Sequence, residues 1–299
     1  MRLRALTAGV LVSAVLLTGC AQSVDPIERL GKKAAQRVRP HGPAGQQAYR
    51  HWGLTAPLAP APKPAARPLA DPADPAGPAG SAGPAGPAGP ADPADPAGPA
   101  RPARPGLPLV IDHVPTRDKV VFLTYDDGAE RDPRFVDMVR ELRLPVSMFL
   151  TDSVVGPAYG HFARLRSVGA SLQNHTLDHP SLRGLPYAAQ RAEICGQQDK
   201  LRARFGLRPR LFRPPYGTYD ATTLRAAADC GISAVVLWRV SMGADDLTYA
   251  KGSHRLLPGD IVAVGPDETT TPTLRQRTTR LLRRIQQQGL TVGRLEDYL

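Results

Sequence analysis

Three short clusters in the second half of the chain carry residues that can do chemistry together. Asp126 and Asp127, in Thr124-Tyr125-Asp126-Asp127-Gly128, follow an apolar run, and adjacent carboxylates repel unless a cation or an arginine compensates them. His175 and His179, in His175-Thr176-Leu177-Asp178-His179, stand four residues apart in a loop, and both imidazoles can turn to one cation if the backbone curves. Arg213-Pro214-Pro215-Tyr216-Gly217 supplies a guanidinium and two prolines that fix the backbone, so the amide of Tyr216 can be held pointing into a site. Singly, each cluster has a bland reading as an Asp-Asp-Gly turn, a surface histidine pair or a Pro-rich turn. All three follow strand-like runs, and together they point to a metal site.

Those runs define the scaffold. Short apolar stretches over 120–125, 146–150, 170–174, 211–213, 234–240, 260–264 and 290–292 read as strands. Helical patterns fall between them, most clearly over 135–142, 188–205, 221–230 and 274–287. On the last helix Leu274, Leu281 and Ile285 form an apolar stripe, with Arg277, Arg280 and Arg284 expected on another face. Alternation of this kind predicts a parallel α/β sheet, and about seven strands suggest closure toward a barrel with its chemistry at the C-terminal strand ends.

The three motifs, in this order and spacing, resemble those of the polysaccharide deacetylase family with its NodB homology domain, over residues 119–299. The resemblance implies a distorted (β/α) barrel and metal-dependent removal of acetyl groups from N-acetylglucosamine polymers or, in some members, from acetylated xylan. It implies a metal triad of Asp127, His175 and His179, with zinc the expected divalent ion. Three protein ligands leave a position open for water, as a catalytic zinc site requires. Asp126 matches the general base, Arg213 the residue that holds it, and Tyr216 the position whose backbone amide helps bind the oxyanion. Trp238 reads as a wall of the pocket for the acetyl methyl.

The chain departs from the family pattern on a late strand. Gly265 stands where the general-acid histidine should be, and Ser241 where the aspartate that orients it should be. Asp245 and Asp246 come several residues later, and His254, Asp267 and Glu268 are nearby in sequence but read as solvated loop residues. Three functions remain open: a weakened deacetylase with relative tolerance for esters, a silent carbohydrate-binding domain, and a metal-dependent phosphoesterase. The last lacks a phosphate-cradling Gly-rich loop.

The first third of the chain is different in kind. Residues 1–19 have two arginines, a short apolar run and small residues before Cys20, the layout of a secretory signal; Leu17-Thr18-Gly19-Cys20 resembles a lipobox, which implies acylation of Cys20 and an anchor on the outer face of the cell membrane. An ordinary signal cleaved near Ala21 is the alternative. Residues 20–56 read as an anchor and basic juxtamembrane segment. Seventeen of the 32 prolines fall between Pro57 and Pro108, and no Phe, Tyr or Trp occurs between Trp52 and Phe122, so 57–118 is expected to be a disordered Pro/Ala/Gly-rich linker. As polyproline II, its repeating triplets would extend about 150 Å at ~3.1 Å per residue.

The net charge of +11 implies anionic surroundings. With a secretory start, the expected partner is a cell-wall polysaccharide such as peptidoglycan, together with the membrane, and not nucleic acid. Cys20 being taken by lipid, Cys195 and Cys230 remain as an even pair in an oxidising compartment, either bridged or as two buried thiols.

Overall fold

The computed structural model describes residues 48–64, 106–250, 254–265 and 272–299. The signal, Cys20, the basic segment before residue 48, most of the Pro-rich triplets, and Asp267 and Glu268 lie outside the described residues.

Ten strands form one sheet: β1 (Leu109–Ile111), β2 (Val120–Tyr125), β3 (Val146–Leu150), β4 (Ser171–Asn174), β5 (Leu211–Phe212), β6 (Ala234–Val236), β7 (Val240–Met242), β8 (Leu247–Tyr249), β9 (Ile261–Val264) and β10 (Thr291–Gly293). Their spatial order is β1-β6-β5-β4-β3-β2-β9-β7-β8, with β10 beside the first half of β2. All pairs are parallel except β7 with β8. The helices are α1 (Pro133–Leu142), α2 (Asp152–Val155), α3 (Tyr159–Ser167), α4 (Tyr187–Phe205), α5 (Ala221–Asp229) and α6 (Leu274–Gln287).

The sheet curls, and the chain itself shows how far. β6 is second from one edge and β7 second from the other, yet only residues 237–239 separate them. The four steps from Val236 to Val240 reach about 14 Å at most, so the two edges face each other across a narrow seam. A bridge between His113 and Asp260 crosses it, and Arg239 pairs with Asp112 at 3.1 Å. The distorted barrel expected from the alternation is therefore present. The stretch 234–240, expected as one strand, is two strands broken where the chain crosses the seam.

Strand periodicity sorts the core. From β2, Val121, Leu123 and Tyr125 face the helices, where they pack with Phe135, Phe162, Leu281 and Ile285. Val120 and Phe122 face inward with Phe149, Val236 and Ile261. Leu211 and Ala234 point in, whereas Phe212 and Val235 point out beneath α4 and α5. Continued along β2, the inward series reaches Thr124 and then Asp126.

Helix ends follow ordinary capping rules. Asp132 caps α1 with Pro133 in the first turn, and α5 and α6 open with Asp220/Thr223 and Thr273/Gln276 capping boxes. Arg277 is not on the outer face of α6: it is only 2% exposed, because it lies three residues after Leu274 and shares the buried side with Thr278 and Leu281. Cys195 of α4 and Cys230 after α5 form a disulfide.

The folded unit extends further upstream than composition suggests. β1 pairs with β6, and residues 48–64 run as a strap over α1, α6 and β10. Trp52 and Leu54 are buried, and the Trp52 indole donates to Glu141 at 2.8 Å. Arg283 then donates to the carbonyl of Gly53 at 2.6 Å, Gln286 to that of Ala56 at 2.7 Å and Tyr298 to that of Pro62 at 2.9 Å. Because the domain supplies the donors, proline in the strap costs it no hydrogen bond.

Candidate active site

β2, β4 and β5 end on one rim of the sheet, with β3 between the first two, and their C-terminal extensions bring the three motifs together. Asp127 Oδ1 lies 3.3 Å from Nε2 of His175 and 3.2 Å from Nε2 of His179, and the three ligand atoms fall within 4.8 Å of one another. Nδ1 of His175 is 2.7 Å from the carbonyl oxygen of Arg213, so it carries the proton and donates. Its Nε2 then presents a lone pair toward a carboxylate oxygen that is buried and has no hydrogen-bond donor. Lone pairs aimed at one point are what a cation satisfies, so the residues present fit a divalent metal.

Electrostatics agree with ligation. Burial pushes the Asp127 carboxyl up, but the nearness of His175 and His179 outweighs it and holds the group below the usual carboxylate range. Burial, then the neighbouring His175, holds His179 below the ordinary imidazole value and so in its neutral, ligating form.

Asp126 faces inward beside the triad. Nη1 of the wholly buried Arg213 donates to Asp126 Oδ1 at 2.6 Å and to Thr124 Oγ1 at 2.9 Å, and its Nε donates to Val236 O at 3.0 Å. The guanidinium is stacked 4.4 Å from the ring of Phe149 and 5.2 Å from that of Trp238. Burial lowers the Arg213 pKa against the pull of Asp126, from so high a starting value that the charge remains. This buried, hydrogen-bonded pair fixes where the Asp126 carboxylate points.

Strain marks the same place. Of the five non-glycine residues with positive φ among those described, Asp127, Thr176, His179 and Tyr216 belong to the site. Such conformations cost of order 1–3 kcal/mol each and persist only where surrounding contacts fix them. Here the contacts are on view. Thr176 N donates to Asn174 Oδ1 at 3.0 Å, and the amides of Leu177 and Asp178 both donate to Glu193 Oε2, at 3.1 and 3.0 Å. Thr151 bonds both Asp127 O and His175 O, tying the first motif to the second. Gly128 has φ 79°, and a Cβ there would strike Val155 at 2.5 Å. Thr151 and Glu193 carry no signal in the sequence that would have singled them out, and Thr124 is marked only as the first residue of its motif.

Tyr216, 66% exposed, stands at the rim with its ring 4.7 Å from that of His179. Trp238 lies on the seam crossing, and Gly217 packs against it so closely that a Cβ would sit 3.2 Å from the indole. The motif residues Asp126, Asp127, His175, His179, Arg213 and Tyr216 thus converge with Trp238 alongside.

Gly265 follows β9, whose Val264 pairs with Tyr125, so it lies beside Asp126. Ser241 on β7 pairs with Ala263, two residues before it. His254 and Asp245 are exposed, and Asp246 turns outward to Arg284 at 3.6 Å. Among the described residues, Asp245, Asp246 and His254 are therefore not gathered at the position opposite Asp126.

Comparison with known proteins agrees with this geometry. Residues 113–235 match the pattern of the polysaccharide deacetylase family. The chain carries a polysaccharide deacetylase domain over these residues. An uncharacterized protein of Streptomyces coelicolor is 71% identical over 194 residues, covering 64% of this chain and 78% of that protein. A chitin deacetylase of Amylomyces rouxii is 36% identical over 118 residues, 38% of this chain and 27% of that enzyme. A peptidoglycan-N-acetylglucosamine deacetylase of Bacillus cereus is 27% identical, over 42% of this chain and 46% of that enzyme. The chain thus spans less than half the length of either named deacetylase. Among solved structures, a family 4 carbohydrate esterase from Bacillus anthracis superposes with a TM-score of 0.53 at 19% identity, covering 63% of this chain and 86% of that one. A family 4 pseudoenzyme from the same organism gives 0.53 at 20%, covering 62% and 67%. These two show the deacetylase fold.

Proposed function

We propose that the domain is a metal-dependent hydrolase of acetyl groups on an extracytoplasmic, cell-wall polysaccharide, impaired toward amides. The observation that carries the reading is the Asp127/His175/His179 triad set against an Asp126 carboxylate held by buried Arg213. A divalent cation bound by the triad, zinc being the best match to one carboxylate and two imidazoles, would supply Lewis acidity to water and to the acetyl carbonyl. Asp126 is placed to take the proton that water loses as its oxygen attacks the acetyl carbon. The amide of Tyr216, presented by a left-handed backbone after two prolines, is placed to donate to the oxygen that gains charge. Breakage of the carbon–nitrogen bond then yields acetate and an amine, which must gain a proton on nitrogen as it departs.

Among the described residues that last proton has no evident donor. An ester departs more easily without one, and a general acid contributes about 10²–10⁴ in rate. Metal-loaded protein should therefore hydrolyse an activated acetyl ester, lose that activity in Asp126→Asn, and cleave an N-acetylglucosamine polymer far more slowly. Equal turnover of glycan amide and ester would show that a donor is present after all. Failure on both substrates favours the second reading, a silent glycan-binding domain, which Gly265 and Ser241 specifically support. Attachment through Cys20 to the outer face of the membrane belongs to the same proposal and would appear as a mass increase on the mature N-terminal cysteine.

A further inference from the structure

Residues 193–197, in the middle of α4, hold the loop that carries His175 and His179. Glu193 accepts from the amides of Leu177 and Asp178. The carbonyl of Ile194 accepts from Asn174 Nδ2 at 2.9 Å, and Asn174 Oδ1 accepts in turn from the amide of Thr176. Gly196 lies so close to Leu177 that a Cβ would sit 2.5 Å from its Cδ1. Gln197 donates to Leu150 O, the same carbonyl that accepts from the His175 amide at 3.0 Å. Cys195 stands at the centre of this stretch, and its disulfide to Cys230 joins it to the end of α5.

This part of α4 is docked mainly by polar contacts. Its buried residues nearest the histidine loop are Gln190, Ile194, Gln197 and Gln198, whereas Leu201 and Phe205 lie toward the far end of the helix. Gln190 donates to Leu185 O at 2.8 Å, and Gln198 donates to Pro209 O at 2.7 Å. Hydrogen bonds weaken as distance and angle depart from their narrow optimum, whereas apolar contact is non-directional and tolerates small displacements. A covalent link at Cys195 therefore fixes the position in which these bonds, and those to the histidine loop, are made. Cys195 is only partly buried, so a small dithiol can approach the bridge.

We propose that the Cys195–Cys230 disulfide is a positioning element of the metal centre: it keeps residues 193–197 where they fix the histidine loop, and its reduction by a dithiol weakens divalent-metal binding. One thiolate of the reductant attacks a sulfur of the bridge, breaking the S–S bond and forming a mixed disulfide. The second thiol of the reductant then displaces the cysteine held in that mixed disulfide. Two electrons and two protons pass to Cys195 and Cys230, which become thiols, and the reductant leaves as a cyclic disulfide. The proposal rests on the triad being a metal site and does not depend on deacetylase turnover.

The test compares full-length wild type with Cys195→Ala/Cys230→Ala, a pair that also removes any thiol able to bind metal itself. Zinc affinity is read by competition with a chromophoric chelator, and amide hydrogen exchange is read on the metal-free proteins. The folded double variant should bind zinc about tenfold more weakly, the lower end of what losing support around a metal ligand costs. The amides of Leu177 and Asp178 should lose protection while those of β9 keep theirs. Wild type reduced with dithiothreitol and freed of it without air should match the variant. A disulfide that serves only global stability would lower the urea midpoint and leave both readouts of the folded protein unchanged, which would overturn the positioning role alone. If the double variant does not fold, reduced wild type takes its place, and loss of the whole fold on reduction as well would overturn a local role. Failure of oxidised wild type to bind zinc would overturn the metal reading and the proposal with it.

Discussion

The two flanks of the candidate site are built to different standards. On the flank formed by β2, β4 and β5, four residues have left-handed backbones, and the histidine loop is pinned by Asn174, Thr176 and Glu193 side chains. On the flank formed by β7 and β9, the chain offers Ser241 and Gly265, and a Cβ built on Gly265 meets only ordinary contacts, Met242 O at 3.5 Å and Arg277 Nη1 at 3.8 Å. The first flank can hold a cation and aim a base. The second has room for a proton donor, and none of its described residues supplies one. Binding and turnover are separable properties of this fold, because they are anchored to different strands.

The strongest blow to the first flank is removal of a ligand. His175→Ala should reduce metal occupancy to near zero by elemental analysis, and occupancy equal to wild type would dissolve the contrast altogether. Next in size is Glu193, which touches no ligand atom and instead holds the amides between the two histidines. Glu193→Ala should weaken metal affinity about 10–100-fold, as loss of outer-shell support does, while Glu193→Gln, which keeps an acceptor oxygen, should retain most of it. Competition with a chromophoric chelator measures both, and identical constants for the two variants would remove the positioning role.

The second flank is tested by addition. Gly265→His combined with Ser241→Asp should raise amide turnover at least tenfold over wild type, within the range a general acid supplies. Gly265→His alone should gain less, since its imidazole lacks a carboxylate partner. No gain in either variant would mean that the open flank does not limit the reaction.

The smallest expected effect concerns the support beneath the first flank. α3 supplies Phe162 under Gly128 and also carries His161, buried with its Nε2 unpartnered. Burial, followed by the charges of Arg164 and Arg131, lowers the His161 pKa from 6.5 to about 4. The unfolded chain therefore binds the proton first as pH falls, so stability is complete above about 6.5 and declines toward 4. His161→Phe should shrink the loss between pH 7 and 4 by on the order of 1–3 kcal/mol in urea titrations, and an unchanged acid limb would assign it to other groups.

Much of this could be read from the sequence because the signals were local. Short apolar runs marked the strands from 120 to 150, and the three motifs announced their residue types together. The even cysteine pair was visible, although only the approach of α5 to α4 shows that it is bridged. What escaped depended on distant partners. β1 has three residues amid proline-rich sequence and is a strand because β6 accepts it. Arg277 resembled a surface cation until Leu274 and Thr278 fixed which side of α6 faces the sheet. Glu193 holds the histidine loop from sixteen residues downstream, in a helix whose pattern contains nothing to mark it.

The strap formed by residues 48–64 alters the mechanics of any membrane tether. A Pro-rich run between anchor and catalytic domain would act as a mast, setting how far the active site stands from the lipid. Here the chain docks on the domain at Trp52 and remains docked to Pro62 before that run begins, and it rejoins the domain at β1 after the run ends. The described residues on both sides of the triplets, 48–64 and those from 106 on, belong to one body, so the number of triplets does not set the distance from that body to an anchor before residue 48. If Cys20 is acylated, the leash is residues 21–47 alone, at most about 95 Å when fully drawn out. Lengthening the triplets would then leave the accessible depth of wall unchanged, whereas each residue added before 48 would extend it by about 3.5 Å.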